Sequence, residues 1–494
     1  MRNPGHFDAL CWSVLSALLL LLLPIGHVSP DGLGQSHLFS AGFTRWNPNH
    51  LLVEPLGSWW MGLIDPASRA EAVDHLRRLS ILSGSIAVGL FRFGVARRLT
   101  ATRLSANQAT AWLAFSSAFL RLWVLDEVYM TQMPAVVGVA WLVLRYLEKP
   151  SFSKSVAVGA SVALAAAFFI QNLLLGPALA LALLKKKPRH AAGILIGMLA
   201  AVPVFVAASP TPDVLHWITS YGGGNVPPRV ELAYGMNDLW MSVARALYGS
   251  ACALVDLAPL VAMFRDLSDL NLWPAGAFLA GTLALLAGLR TSSRPALLLF
   301  GVWAAAVLGF GIYWNNSDDQ FYVQLAVPFA ALAASLPLRS KAAVLGMLAL
   351  LFNLVDVASR RIFYPREERL ATIEREFGDA GLILYPGFDE MEVLLALKPV
   401  APAASFTDYS VRMPAEEGLE DLLHTIFGVL SEGRSVAVVD TIDVAPTRSP
   451  WKFLARMGYD HAKVVDMLDS FALEPVPERP GPFTVRWIRG RSAR

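Results

Sequence analysis

SPDGLGQSHLFSAGFTRWNPNHLLVEPLG, Ser29 to Gly57, follows the first hydrophobic run of the chain. It gathers Asp31, His37, Arg45, Asn47, Asn49, His50 and Glu54 in a protein that otherwise spends long spans on Leu, Ala, Val and Phe. The preceding run, from Ala9 to Leu23, reads as a retained membrane helix and not a cleaved signal peptide. No small-x-small cleavage site precedes Ser29, and many apolar runs follow. The polar stretch is then the first loop on the outer side of a membrane.

Composition supports that reading. Of 494 residues, 55% are hydrophobic and 16% charged, with mean hydropathy +0.48; an ordinary soluble domain carries roughly 25% charged residues. The chain is a polytopic α-helical membrane protein. A net charge of +2 and the absence of Lys/Arg blocks interleaved with aromatics exclude nucleic acid as a partner. Cys11 and Cys252 both lie in apolar surroundings, so neither a disulfide framework nor a cysteine metal site is indicated.

A hydrocarbon core needs roughly 17 to 25 apolar residues per helix, and about eleven such segments are present. They lie near 9–28, 79–96, 105–122, 133–147, 155–170, 172–184, 191–208, 273–289, 295–313, 320–337 and 341–357. With this assignment Arg97, Arg98 and Arg103, then Arg145, Lys149 and Lys154, then Lys185 to Lys187 with Arg189, then Arg290 and Arg294, then Arg339 and Lys341 all fall on one side. The positive-inside rule makes that side cytoplasmic, as in a multi-pass protein of a plasma or bacterial inner membrane. Residues 242–264 are apolar enough to span, but a span there would put Arg290 and Arg294 outside; Arg245 and Asp256 also interrupt the run. It is therefore placed as a helix at the outer interface, a twelfth span being the alternative.

Close to half of the chain's charged side chains lie after residue 357, which divides it into a membrane domain, 1–357, and a soluble domain, 358–494. The runs GLILYPG and SVAVVDT read as short buried strands, alternating with helical patterns in EEGLEDLLHTIFGVLSEG and WKFLARMGYDHAKVVDML. That alternation predicts a small α/β layer. An odd number of spans places it outside the cell. It contains no glycine-rich nucleotide signature.

Polar side chains collect at the outer ends of the spans in four clusters: Asp31 with Trp46 to Pro55; Asp126, Glu127 and Tyr129; Gln171 and Asn172; and YWNNSDDQFY, Tyr313 to Tyr322, with Asp319 and Gln320. Polar groups at membrane depth are costly unless used or paired, so their convergence marks a substrate path. Each has a plainer reading. Asp31 can be a solvated helix cap, Asp126 and Glu127 a surface doublet, Asn47 to Asn49 turn formers, and Gln171 with Asn172 a cap between helices. Trp59, Trp60, Trp123 and Trp314 read as interfacial anchors. Asp318 and Asp319 are the one acidic pair considered for a divalent cation; no spacing identifies a metal site, and no cofactor is required.

This pattern resembles the membrane-embedded GT-C glycosyltransferases, the superfamily of protein O-mannosyltransferases and aminoarabinose transferases. The matching features are Asp31 just after the first span, NPNHLLVEPLGSWW leading to an apolar helix, DEVY at Asp126 to Tyr129, the Gln171–Asn172 turn, HWITSYGGG at His216 to Gly224, and WNNSDDQFYVQLAVP at Trp314 to Pro328. They span residues 1–357. Asp31 is followed by Gly32 instead of a second acid, and the acidic pair stands in the second outer loop.

The resemblance implies a transferase that takes a sugar from a polyprenyl-phosphate carrier on the extracytoplasmic side. It passes the sugar to a protein, lipid or polysaccharide acceptor. The acceptor attacks the anomeric carbon while a carboxylate acts as general base, a role worth about 10² to 10⁴-fold. Asp31 is the expected base, and Asp126 or Glu127 the second acid. Arg45, His50 and Arg121 are the expected partners of the leaving phosphate; Asn49, Glu54, Tyr129, Gln171, Asn172, Asp319 and Gln320 complete the substrate-binding set. The competing class is a transporter or flippase of a lipid-linked or anionic solute. Transporters place their sites at the midplane of inverted repeats, whereas these clusters sit at one face and no repeat is evident.

Overall fold

The computed structural model describes residues 4–23, 25–42, 46–214, 239–255, 273–314, 319–337, 340–362, 364–387, 390–442, 451–471, 473–475 and 483–489. The chain forms two compact units. One holds the apolar helices from Pro4 to Tyr364; the other contains residues 28–33 and the chain from Pro365 onward.

Among the described residues of the first unit, four helices are long and apolar enough to cross a membrane: Arg69–Leu99, Val128–Glu148, Pro188–Ala208 and Arg294–Tyr313. Shorter apolar helices are His6–Leu22, Phe152–Phe168, Ile170–Leu184, Ala275–Thr291 and Gln320–Ala333. Polar caps start several of them. Ser68, Thr102, Ser151 and Ser340 each accept the backbone N–H three residues on, an interaction worth about 1 kcal/mol per helix end. At the first of these ends Glu71 Oε2 in turn accepts from Ala67 N–H at 2.8 Å.

Expected runs are altered in places. The first helix ends at Leu22 and not near residue 28. The 105–122 run is divided at Ser116, whose ψ of 144° is extended and whose hydroxyl donates to Leu113 O at 3.0 Å. The described part of 242–264 is the helix Leu239–Leu254. It packs by Ser242, Ala246, Gly249 and Ala253 against Arg294–Trp314 and Asp319–Leu325, while Trp240 and Leu247 on its other side are exposed.

Glycine sets the closest helix pairing. A Cβ on Gly159 would collide with the carbonyl of Ile194, and one on Gly197 with that of Val156, so Phe152–Phe168 and Pro188–Met198 pack backbone to backbone, as small residues permit in lipid. A buried charge cluster ties the first helix to the chain after Leu90. Asp8 accepts from Arg92 at 2.6 Å and from Arg103 Nε at 2.8 Å, and Arg92 Nε donates to Asn107 Oδ1 at 2.7 Å. Arg92 stands in a π-helical segment, Phe91–Ala96, and is 2% exposed.

The second unit is built on a five-stranded sheet, order β2-β1-β3-β5-β4, from β1 (Leu382–Tyr385), β2 (Ala403–Ser405), β3 (Val436–Val439), β4 (Leu473–Pro475) and β5 (Val485–Ile488). The first three are parallel, with Ile383 opposite Ala403 and Leu382 opposite Val436; β5 runs antiparallel to β3 and β4. Leu382, Leu384, Val436 and Val438 enter one core, and Ile383, Tyr385, Ala437 and Val439 the other. Burial on both faces explains why these strands read as unbroken apolar runs. The WKFLARMGYDHAKVVDML pattern is two helices, Trp451–Arg456 and His461–Asp469, separated where Gly458 adopts φ +88°.

Candidate functional site

Three short segments carry the polar residues of the first unit: Val128–Gln132, Ile170–Leu174 and Asp319–Leu325, each a 3₁₀ turn leading into an apolar helix. A 3₁₀ turn has three residues, so side chains at i and i+3 eclipse. Two segments hold an aromatic residue and an amide at that spacing, Tyr129 with Gln132 and Phe321 with Gln324; at the other, Phe169 is the extended residue just before the turn (φ −154°, ψ 115°), and Asn172 follows three positions on. In the second, Asn172 N–H closes the turn on Phe169 O at 3.0 Å. The third is seated between two helices by Tyr322, fully buried where Gly249 and Gly311 leave room for its ring.

The rings meet in one layer. Tyr129 and Phe169 lie 5.3 Å apart by centroid, Tyr129 and Phe321 5.8 Å, Phe169 and Phe321 6.1 Å. The amides meet in another. Gln132 Oε1 accepts from Asn172 Nδ2 at 2.9 Å and from Gln324 Nε2 at 3.0 Å, and Asn172 Nδ2 also donates to Ala165 O at 3.0 Å. All three amides are at most 1% exposed. Gln132 Nε2, Asn172 Oδ1, Gln324 Oε1 and both polar atoms of the buried Gln171 have no hydrogen-bond partner among the described residues. Each orphaned polar atom of this kind costs about 1–3 kcal/mol of desolvation.

His50 joins the ring layer, 4.7 Å from Phe169 and 5.9 Å from Tyr129. It ends the short turn Pro48–His50, which Asn47 caps by accepting Asn49 N at 3.0 Å; Leu52 N, just beyond, donates to Ala167 O at 2.8 Å. Its Nδ1 is buried without a partner among the described residues. Burial lowers the imidazole pKa to about 4, against the opposing effect of its hydrogen bond to the Phe168 backbone. His50 is therefore neutral at pH 7.

Asp126 and Glu127 occupy the link between the helix Ser117–Val124 and the first turn, and are 0% and 6% exposed. Ser80 Oγ donates to the Glu127 carbonyl, and Trp123 Nε1 donates to Ile81 O at 2.9 Å, so the helix Arg69–Leu90 holds this link from both sides. Two buried carboxylates on a link just ahead of the ring layer are a costly arrangement, and one suited to handling a proton or a cationic group. Among the described residues no three His, Cys, Asp or Glu side chains come together as metal ligands.

No protein-family model matches the sequence, and no curated protein matches it. The fold does have a counterpart. A crystal structure of ArnT from Cupriavidus metallidurans bound to undecaprenyl phosphate superposes with TM-score 0.51 over 97% of this chain and 98% of that one, at 15% identity. The chain has the GT-C fold. The apo form of the same ArnT gives TM-score 0.49 at 14% identity, over 97% of this chain and 98% of that one. The oligosaccharyltransferase of Archaeoglobus fulgidus, tethered to an acceptor peptide containing the NVT sequon, gives 0.49 at 13% identity, over 98% of this chain and 74% of that one.

Within the GT-C fold the expected site residues separate. Asp126, Glu127, Tyr129, Gln171 and Asn172 are buried, Glu54 is buried in the first turn of Val53–Ile64, and Gln320 is 8% exposed in the third turn. Arg121 stands in the last turn of the helix that leads to Asp126. Asp31 is exposed in the first turn of Pro30–Ser40 and belongs to the second unit. Asn49 contributes its backbone N–H to the Asn47 cap. Asp319 opens the third turn. Arg45, Asp318 and the His216–Gly224 stretch lie outside the described residues.

His50, an expected partner of the leaving phosphate, is held as a neutral imidazole whose buried Nδ1 has no partner among the described residues. Polarity at the span ends does not single out Gln132 and Gln324. Both stand at the amide position of the ring-x-x-amide spacing, which is the signal available for them.

Proposed function

We propose that this integral membrane protein is a glycosyltransferase that moves a sugar from a polyprenyl-phosphate carrier to an acceptor on the extracytoplasmic side. The observation carrying this reading is the GT-C fold over nearly the whole chain, together with a buried acidic pair, Asp126 and Glu127, placed ahead of a ring-and-amide cluster. That ArnT is seen with undecaprenyl phosphate supports a lipid-phosphate donor. About eleven spans, with the α/β unit outside the cell, complete the proposed topology.

In the proposed reaction an acceptor hydroxyl or amine attacks the anomeric carbon. The bond to the carrier phosphate breaks, and a carboxylate takes the acceptor's proton. Asp31 is proposed as that base, with Asp126 and Glu127 orienting acceptor or sugar. Arg45, His50 and Arg121 are the proposed partners of the departing phosphate, the two arginines as its cations. The sugar, hexose or pentose, and the acceptor class stay open in this proposal. No observation favours the transporter alternative.

The test is release of sugar from radiolabelled polyprenyl-phosphate hexose by purified protein, wild type beside Asp31→Asn, with a mixed acceptor extract. Transfer or slow hydrolysis that disappears in the variant is the expected result. Wild-type turnover retained by Asp31→Asn would remove Asp31 from the base role. No binding or turnover with any such donor would sink the transferase reading.

A further inference from the structure

We infer that the three convergent turns form the site that reads the uncharged glycosyl group of the donor, with Gln132, Gln171, Asn172 and Gln324 as its specificity-determining residues. This inference rests on the proposed transferase function and adds the chemistry of what this part of the site recognises.

Several buried polar atoms of these turns have no hydrogen-bond partner among the described residues. An interhelical lock needs only its internal bonds. Here Gln132, Asn172 and Gln324 each commit one amide atom to the lock and keep the other buried and unpartnered among the described residues, while Gln171 commits neither. His50 adds a buried Nδ1 in the same condition. These groups are all neutral, and together they offer both donors and acceptors. A phosphate presents only acceptors and calls for cations, and an ammonium group presents only donors. Sugar hydroxyls do both at once, and sugar C–H faces pack on aromatic rings, which the adjoining layer of Tyr129, Phe169 and Phe321 supplies. A site built to hydrogen-bond hydroxyls discriminates strongly, because a ligand lacking them leaves its buried groups unpaired.

Gln171 separates this role from a structural one. Its amide has no partner among the described residues, so Gln171→Met removes a buried polar group at nearly constant volume. The fold should hold or gain stability while recognition falls.

The full chain in lipid nanodiscs, free of glycoside detergents, is titrated with undecaprenyl phosphate and with a panel of undecaprenyl-phosphate hexoses and pentoses. Wild type is compared with Gln171→Met and Gln324→Met, and binding is read by native mass spectrometry and melting temperature by intrinsic fluorescence. The expected result is a loss of about tenfold in affinity for the preferred glycosylated carrier, bare-carrier affinity within about twofold of wild type, and an unchanged or raised Tm for Gln171→Met. Wild-type affinity for the glycosylated carrier in both variants overturns the inference, as does an equal loss for both carriers. Wild-type protein that binds neither carrier overturns the donor reading itself, a result distinct from either of those.

Discussion

Asn172 Nδ2 donates to Gln132 Oε1 at 2.9 Å, joining two fully buried amides from segments forty residues apart in the chain. Because Gln324 uses the same oxygen, Gln132 is the shared acceptor of the site. Gln132→Leu removes the acceptor of both amides, leaving Asn172 Nδ2 only its bond to Ala165 O, and we predict a loss of about 1–3 kcal/mol, toward the lower end because interhelical bonds in membranes average about 0.6 kcal/mol. Adding Gln324→Leu to Gln132→Leu should cost less than Gln324→Leu alone, since the bond is already gone. A double-mutant cycle on thermal unfolding in nanodiscs checks this, and strict additivity would count against the shared acceptor.

Asp126 and Glu127 are too deeply buried to be ordinary loop charges. Asp126→Asn and Glu127→Gln are each expected to lower transfer by about 10²-fold, the size of a lost orienting contact, with the melting temperature near wild type. Turnover and donor affinity both unchanged in Glu127→Gln would leave that residue without a role in the reaction.

His50 ties stability to pH. Its folded-state pKa of about 4 lies below the ordinary 6.5, so between those values the unfolded chain binds the proton more readily than the folded one. Stability from this residue is fully present above about pH 6.5, and is lost progressively as pH falls toward 4. The melting temperature of wild type should decline over that window, and His50→Gln should decline less. Parallel curves for the two proteins would show that His50 does not carry the effect.

Asp8 and Arg92 form a buried pair between the first helix and the π-helical segment. Asp8→Asn removes the countercharge and leaves Arg92 buried, an arrangement that costs about 3–5 kcal/mol. Arg103, the second partner of Asp8, is largely exposed, so Arg103→Gln should have little effect. Denaturant titration of the two variants distinguishes them; equal losses would mean that exposure does not decide the strength of these contacts.

Several site residues are legible in the sequence because they interrupt apolar runs. Asp126, Glu127, Tyr129, Gln171 and Asn172 stand out by polarity alone, and all are buried. Gln132 and Gln324 are equally polar but sit at the starts of strongly hydrophobic helices, where a single amide attracts no notice. Their three-residue offset from Tyr129 and Phe321 becomes a shared direction only where the backbone winds as 3₁₀, since in an α-helix the same offset turns the side chain by roughly 60°. Asp8 is inconspicuous for a similar reason. Its partners lie 84 and 95 positions away, and nothing local marks it as paired.

Hydropathy and alternation are sums over neighbouring residues, so residue order alone sets the membrane class, the positions of the apolar helices and the buried runs LILY and VAVV. It also marks the acidic doublet that polarity makes conspicuous. Packing in three dimensions settles the rest: Ser116 breaks a helix, burial lowers the His50 pKa, and three turns bring their rings into one layer and their amides into another. Those outcomes depend on which distant surfaces meet, and a hydrogen bond between Gln132 and Asn172, or the desolvation of an imidazole, exists only once that packing has excluded water.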